Sequence, residues 1–138
     1  MEKSLILIKP DAMERGLATT IISRLEQAGL KLTALRMLHM DRTLAERHYA
    51  VHKEKPFFED LVKYITSTPI VAAVLTGDNA IEEIRKVVGP TNPAKSEKGT
   101  IRGDFGIDIE HNSIHASDGP ETAAYEIGLF FSEDQIFA

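Results

Sequence analysis

The chemistry in this chain centres on Asn112-Ser113-Ile114-His115-Ala116-Ser117-Asp118-Gly119, which sets one imidazole among small and polar neighbours. An isoleucine before the histidine and small residues after it predict a short buried strand that ends at a ligand-facing turn. His115 would then stand at the mouth of a cleft. Its neutral and charged forms coexist near pH 7, so it presents an unprotonated ring nitrogen without a metal or a strong base. Such a nitrogen is a nucleophile. A phosphoryl group is a matching electrophile, provided cations elsewhere neutralise the phosphate oxygens. The chain offers Lys9 where an apolar run stops, Arg85 beside a helical apolar stripe, and Thr91 and Arg102 in a turn-rich stretch. A hydroxyl and a forked guanidinium both suit phosphate oxygens. Each of these residues also has a bland role open to it, Lys9 and Arg85 as solvated flanks and His115 as a structural strand end.

The elements that must position these groups follow from periodicity. Leu5 to Ile8 is a continuous apolar run, the pattern of a central strand covered on both faces, and Pro10 closes it just after Lys9. From Leu17 to Ala28, Ile21, Ile22 and Leu25 recur at helical spacing, and Gly29 is a good stop. Leu30 to Met40 reads as a second strand with Leu32, Ala34, Met37, Leu38 and Met40 inward, its methionines filling core. Asp41 or Thr43 can cap a helix from Leu44 to about His52. On it His48 and His52 lie four apart, which invites zinc, but no Glu follows His48 and no third ligand is near in sequence. His48 therefore reads as a surface or packing residue.

Pro56-Phe57-Phe58 opens the next helical segment. Adjacent rings cannot both face inward, so one is exposed or covers something, and stacking on a base is one use of such a ring. Ile70 to Leu75 is another buried strand, and Asn79 can cap a helix from Ala80 to Val88. Gly89 to Gly106 reads as a long ordered loop of the kind that carries function. Gly119-Pro120-Glu121 starts a last helix, to about Phe130, on which Glu126 is by default a solvated carboxylate. The tail from Phe131 to Ala138 carries no legible chemistry.

The size of the chain, 138 residues, predicts one domain, 1–138. No apolar run approaches a membrane span, and the N-terminus lacks a secretory signal. The absence of Cys excludes disulfides and thiolate chemistry and makes the cytoplasm the default compartment. A net charge of -5 argues against a nucleic-acid coating surface. Neither the Walker pattern nor Gly-x-Gly-x-x-Gly occurs, so side chains must hold any phosphates.

Asn-Ser-Ile-His-Ala-Ser-Asp resembles the active-site signature of nucleoside diphosphate kinases, Asn-x-x-His-(Gly or Ala)-Ser-Asp. Lys9-Pro10-Asp11, Pro56-Phe57-Phe58, Gly-Pro-Thr-Asn-Pro-Ala from Gly89 and Gly-Thr-Ile-Arg-Gly-Asp-Phe from Gly99 match the family in the same order. The likeness runs from Lys9 to Glu126. It implies an α+β domain with a ferredoxin-like split βαβ core, a four-stranded antiparallel sheet, surrounding helices and a long functional loop. It also implies ping-pong transfer of a γ-phosphoryl group through phospho-His115, with Tyr49, Ser117 and Glu126 supporting the nucleophile. By the same resemblance His52, Arg85, Thr91 and Arg102 hold phosphate, Lys9 and Asn112 hold ribose and phosphate, and Phe57 stacks on the base. Base stacking implies wide nucleotide acceptance, ATP and GTP included. Mg²⁺ is expected to arrive with the nucleotide, since no oxygen-rich metal cage is apparent in the chain. A homo-oligomer is expected, hexamer over tetramer. A nucleotide sensor or scaffold of the same fold, and a histidine phosphocarrier, stand as alternatives.

Overall fold

The computed structural model describes residues 1–138. Four strands, β1 (Glu2–Ile8), β2 (Lys31–Leu38), β3 (Ile70–Gly77) and β4 (Ile114–Ala116), form one antiparallel sheet in the order β2-β3-β1-β4. The two apolar runs are the inner strands, as expected of chains covered on both faces. Successive side chains of a strand point to opposite faces, and two cores result. Ile6, Ile8, Val71, Ala73 and Leu75 pack on one side with α2 (Ala18–Gln27), α5 (Ala80–Val88) and Ile101. Leu5, Leu7, Ala72 and Val74 pack on the other with residues of α3 (Arg42–His48), α4 (Phe58–Ile65) and α7 (Pro120–Phe130). Register then decides where the imidazole points. His115 stands opposite Leu7 and so projects to the α3, α4 and α7 side, whereas Ile114 and Ala116 project into the opposite core.

Several local expectations are revised. A short helix α1 (Pro10–Glu14) follows Lys9, with Pro10 at its first turn. The predicted helix to His52 ends at His48 and continues as one 3₁₀ turn, Ala50–His52. Asp41, not Thr43, caps it, accepting from the Leu44 amide at 2.8 Å. Pro56 and Phe57 precede α4, which begins at Phe58. Asn79 does not cap α5 with its side chain. It takes a left-handed conformation (φ 52°), and Glu2 Oε1 accepts from the Ile81 amide at 2.9 Å instead. The long loop contains a 3₁₀ turn, Pro93–Lys95, and a helix α6 (Ile101–Phe105) capped by Thr100, whose side chain accepts from the Gly103 amide.

Met37 is 66% exposed and not core, and Leu35 beside it is 56% exposed. A bulge between Leu32 and Ala34 interrupts the alternation of β2, an outer strand whose apolar face is left uncovered at this end. No helix is long and apolar enough to cross a membrane.

Candidate active site

β4 is only three residues long, too short to fix its own geometry by pairing alone. A polar knot immediately before it does the rest. Ser113 sits in the left-handed region (φ 76°), where a non-glycine residue is strained unless its surroundings over-determine it. They do. The Ser113 hydroxyl donates to Asp11 Oδ2 at 3.1 Å, and its carbonyl accepts from the Lys9 amide at 2.9 Å. Asp11 also accepts from the Tyr64 hydroxyl and from Arg15, which in turn donates to the Phe105 carbonyl. Asp11 and Ser113 stand in motifs quoted from the sequence but were given no role there, and Arg15 and Tyr64 were not singled out. The one available signal was an acid following Pro10 at the start of an apolar-flanked turn.

Held in this way, His115 keeps an exposed fraction of 25% and directs Nε2 at both oxygens of Glu126, at 2.9 and 3.0 Å. Ser117 donates to the same carboxylate at 2.6 Å. Glu126 is thus a buried acceptor, not the solvated helix carboxylate of the bland reading. Burial pushes its pKa up, but the hydrogen bonds and charge of His115 and the bond from Ser117 outweigh that, so it stays ionised well into acid. An ionised acceptor fixes the proton of His115 on Nε2. Nδ1 keeps the lone pair and has no partner within the chain.

The ring pressed against His115 is His48, read from sequence as a surface or packing residue, and packing is what it does. It lies edge-on to His115 at 4.7 Å between centroids and 83° between planes. Far from the surface, it is 6% exposed, because α3 turns its last residue toward the sheet. Burial, reinforced by the charge on His115, pushes its pKa down to about 3. It is therefore neutral at ordinary pH. His52 does not share its face, since the chain leaves the helix between them. Tyr49 packs on His48 at 4.6 Å, and its hydroxyl has no hydrogen bond to His115. Burial and nearby Glu126 raise the Tyr49 pKa, so that hydroxyl keeps its proton.

Around this nucleophile a cleft of about 400 Å³ collects every other residue that spacing and resemblance had singled out except Ser117, which lies behind Glu126. Lys9 is buried, held by the Asn112 Oδ1 at 3.0 Å and the Glu110 carbonyl at 3.2 Å, with no carboxylate pairing it. Burial and the Arg102 charge bring its pKa down to about 8. Asn112 ties the lysine to the long loop, donating to the Thr91 carbonyl at 3.0 Å. Arg102, also buried, donates to the carbonyls of Ile114 (2.7 Å) and Gly89 (3.1 Å), and burial together with Arg85 brings its pKa down to about 10. Its Nε has no partner in the chain. Arg85 reaches the Ala116 carbonyl at 3.3 Å, one residue beyond His115. Thr91 is exposed on the rim.

At the outer end of the cleft Phe57 is 43% exposed while Phe58 is buried, so the paired rings divide as expected. His52 approaches Phe57 at 5.6 Å between centroids. One ammonium, Lys9, and two forked guanidinium groups, Arg85 and Arg102, around one imidazole can hold a polyanion against a nucleophile. The cleft suits phosphate and, through Phe57, a flat ring attached to it.

Known proteins agree with this geometry. A family model described as nucleoside diphosphate kinase matches residues 2–136. A nucleoside diphosphate kinase of Dehalococcoides mccartyi is 60% identical over 136 residues, covering 99% of this chain and 96% of that protein. The one of Archaeoglobus fulgidus is 55% identical, covering 99% and 90%. Among solved structures, the Aquifex aeolicus nucleoside diphosphate kinase superposes with a TM-score of 0.95 at 45% identity over 98% of each chain. A halophilic nucleoside diphosphate kinase of Halobacterium salinarum in complex with CDP superposes with a TM-score of 0.96 at 42% identity, over 99% of this chain and 91% of that one.

Proposed function

Since the chain belongs to the nucleoside diphosphate kinase family and works as a nucleoside-diphosphate kinase, we propose that His115 carries the phosphate in transit and that Nδ1 is the atom that does so. The observation supporting this is the hydrogen bond from Nε2 to buried Glu126, which commits one ring nitrogen and leaves the other free beside Lys9, Arg85 and Arg102. In the first half-reaction the Nδ1 lone pair attacks the γ-phosphorus of a nucleoside triphosphate. The bond from that phosphorus to the bridging oxygen breaks, and the diphosphate leaves with the electron pair. The ring becomes cationic as the new bond forms, and Glu126, oriented by Ser117, stabilises the charge. In the second half-reaction a terminal oxygen of another diphosphate attacks the same phosphorus, and His115 leaves with its lone pair restored.

Charge spread over the transferring oxygens is met by Arg85, Arg102, Thr91 and His52, and Lys9 with Asn112 orients the sugar and phosphates. Phe57 stacks on the base, a contact that reads a ring face and not its edge, so ATP, GTP and other nucleotides all serve. Of the two carboxylates lining the cleft, Glu126 is engaged and only Asp118 is free, which does not make a protein cage for a hard cation. Mg²⁺ held by the nucleotide phosphates fits that lining, and it neutralises phosphate charge. Residues 1–138 act as one catalytic domain, in a cytoplasmic setting. Uncovered Leu35 and Met37 on the outer strand supply apolar surface for self-association, a homohexamer before a tetramer.

Incubation with a γ-labelled triphosphate followed by chase with an unlabelled, different diphosphate tests the scheme. The label should enter as acid-labile phosphate, leave on the chase, and be absent from His115→Ala. Labelling that survives in that variant refutes the assignment. A sensor or scaffold would show neither step, and a dedicated carrier would not respond to the diphosphate.

A further inference from the structure

Phosphate transfer leaves one buried group without an explanation, the ring of His48. Its side chain is 1% exposed and neither ring nitrogen has a hydrogen-bond partner. A phenylalanine would fill the same space among Tyr49, His115 and Phe130 without leaving polar atoms unpaired. The neutral ring carries a lone pair on one nitrogen, and Nδ1 lies 3.7 Å from Glu126 Oε2. Donor atoms of His48, His115 and Glu126 all lie within 4.8 Å of one another. A zinc ion with bonds of about 2.0 to 2.1 Å holds tetrahedral ligands roughly 3.3 Å apart. The spans of 2.9 Å from His115 Nε2 to the carboxylate and 3.7 Å from His48 to it fall on either side of that value.

We propose that His48, His115 and Glu126 form an inhibitory site for a zinc-class divalent ion, separate from any magnesium carried by the nucleotide. Two imidazoles and one carboxylate are the donor set of zinc and its borderline neighbours, whereas magnesium takes oxygen ligands. Three protein ligands leave a fourth position for a water. The ion takes the lone pair of His115 Nε2 in the other neutral tautomer, the ring proton moving to Nδ1, so the imidazole stays neutral. Protons compete with the ion for the two imidazoles and the carboxylate, so zinc affinity falls as pH falls. The charge of Glu126 favours the ion. Lys9, His52 and Arg102 around the cleft oppose it when charged, and Tyr49 stays neutral.

With zinc on Nε2 the ring proton sits on Nδ1, which then has no lone pair to attack phosphorus, and the Nε2–H hydrogen bond to Glu126 is lost. This inhibitory consequence rests on the phosphate-carrying role of His115. The binding itself does not.

Binding is measured on nucleotide-free protein, because nucleotide phosphates chelate zinc. Calorimetric titration with zinc chloride should give one ion per chain. X-ray absorption of the zinc-loaded wild-type chain should show two imidazoles and one carboxylate. His48→Phe should bind at least about tenfold more weakly. His111→Ala, which removes an imidazole beside Asp108 on the surface, should bind as before. A single imidazole in the absorption spectrum, no saturable binding, or loss of binding in His111→Ala with retention in His48→Phe overturns the proposal. Should His48→Phe not fold, the wild-type spectrum decides alone. Zinc bound as described with phosphohistidine formation undiminished would keep the site and refute the role of His115 instead.

Discussion

Glu126→Gln isolates the contribution of a single negative charge to phosphorylation of His115. Gln keeps the size of the side chain and an oxygen able to accept from Nε2–H, so packing in a site that is 4% exposed is preserved. What is lost is the charge facing a ring that becomes cationic in the transition state. At 2.9 Å and an effective dielectric constant of 20, full unit charges interact by about 6 kcal/mol, and a half-formed charge by about 3. Residual dipolar attraction from the amide returns part of this, leaving a barrier increase of about 2 to 3 kcal/mol, or roughly 30- to 160-fold in rate. Rapid-quench measurement of phosphoenzyme formation in a single turnover, stopped with base to preserve the phosphoramidate, reads that step directly. Diphosphate affinity should stay within about twofold, because Glu126 lies behind the imidazole from the phosphate-binding groups. A phosphorylation rate within about twofold of wild type, with chemistry limiting, would refute the role given to this charge. So would a loss confined to binding.

Protonation of His48 makes the fold acid-sensitive. Its folded pKa of about 3 lies below its ordinary value of 6.5, so the unfolded chain binds the extra proton. The stabilisation is complete above 6.5 and is lost as pH falls toward 3, by up to about 1.4 kcal/mol per pH unit. Urea melts between pH 7 and 4.5 should show a shallower slope for His48→Phe than for wild type, and equal slopes would contradict the burial argument. Lys9 acts with the same sign in an alkaline window: with a folded value of about 8 against 10.5, it makes stability rise with pH between those values. Over the same window the nucleotide-free protein loses a cation from the cleft, so diphosphate affinity measured by calorimetry should decline above pH 8, and Lys9→Gln should flatten that decline. Gly103→Ala should destabilise the chain by about 2 kcal/mol or more, because a Cβ there meets the Glu97 carbonyl oxygen at 2.0 Å; an unchanged thermal midpoint would show that the loop yields freely.

Much of this was legible in the residues, and the remainder shows what sequence pattern omits. Two unbroken apolar runs marked β1 and β3 as inner strands because burial on both faces leaves no polar position. Lys9 stood out because it follows such a strand, and His115 because one imidazole sits there among small and polar residues. His48 did not. Four-residue spacing paired it with His52 on an imagined continuous helix, and nothing local encodes that the helix stops and turns its last side chain inward. Met37 was assigned to core by its hydropathy, but a bulge reset the alternation of β2 and no helix covers that end of the sheet. The knot around Ser113 joins residues separated by about a hundred positions, a proximity that only the tertiary fold creates. Strand pairing itself came from resemblance, since periodicity orders elements without saying which are neighbours.

The left-handed backbone at Ser113, clamped by Asp11, Arg15 and Tyr64, means that the imidazole is aimed before any nucleotide enters. A catalyst that must accept one nucleotide, release it and then receive a chemically different one gains from machinery that does not have to be reassembled in between. The orienting work is done once, at folding, and each arriving nucleotide finds the same waiting geometry whichever direction the phosphate is travelling.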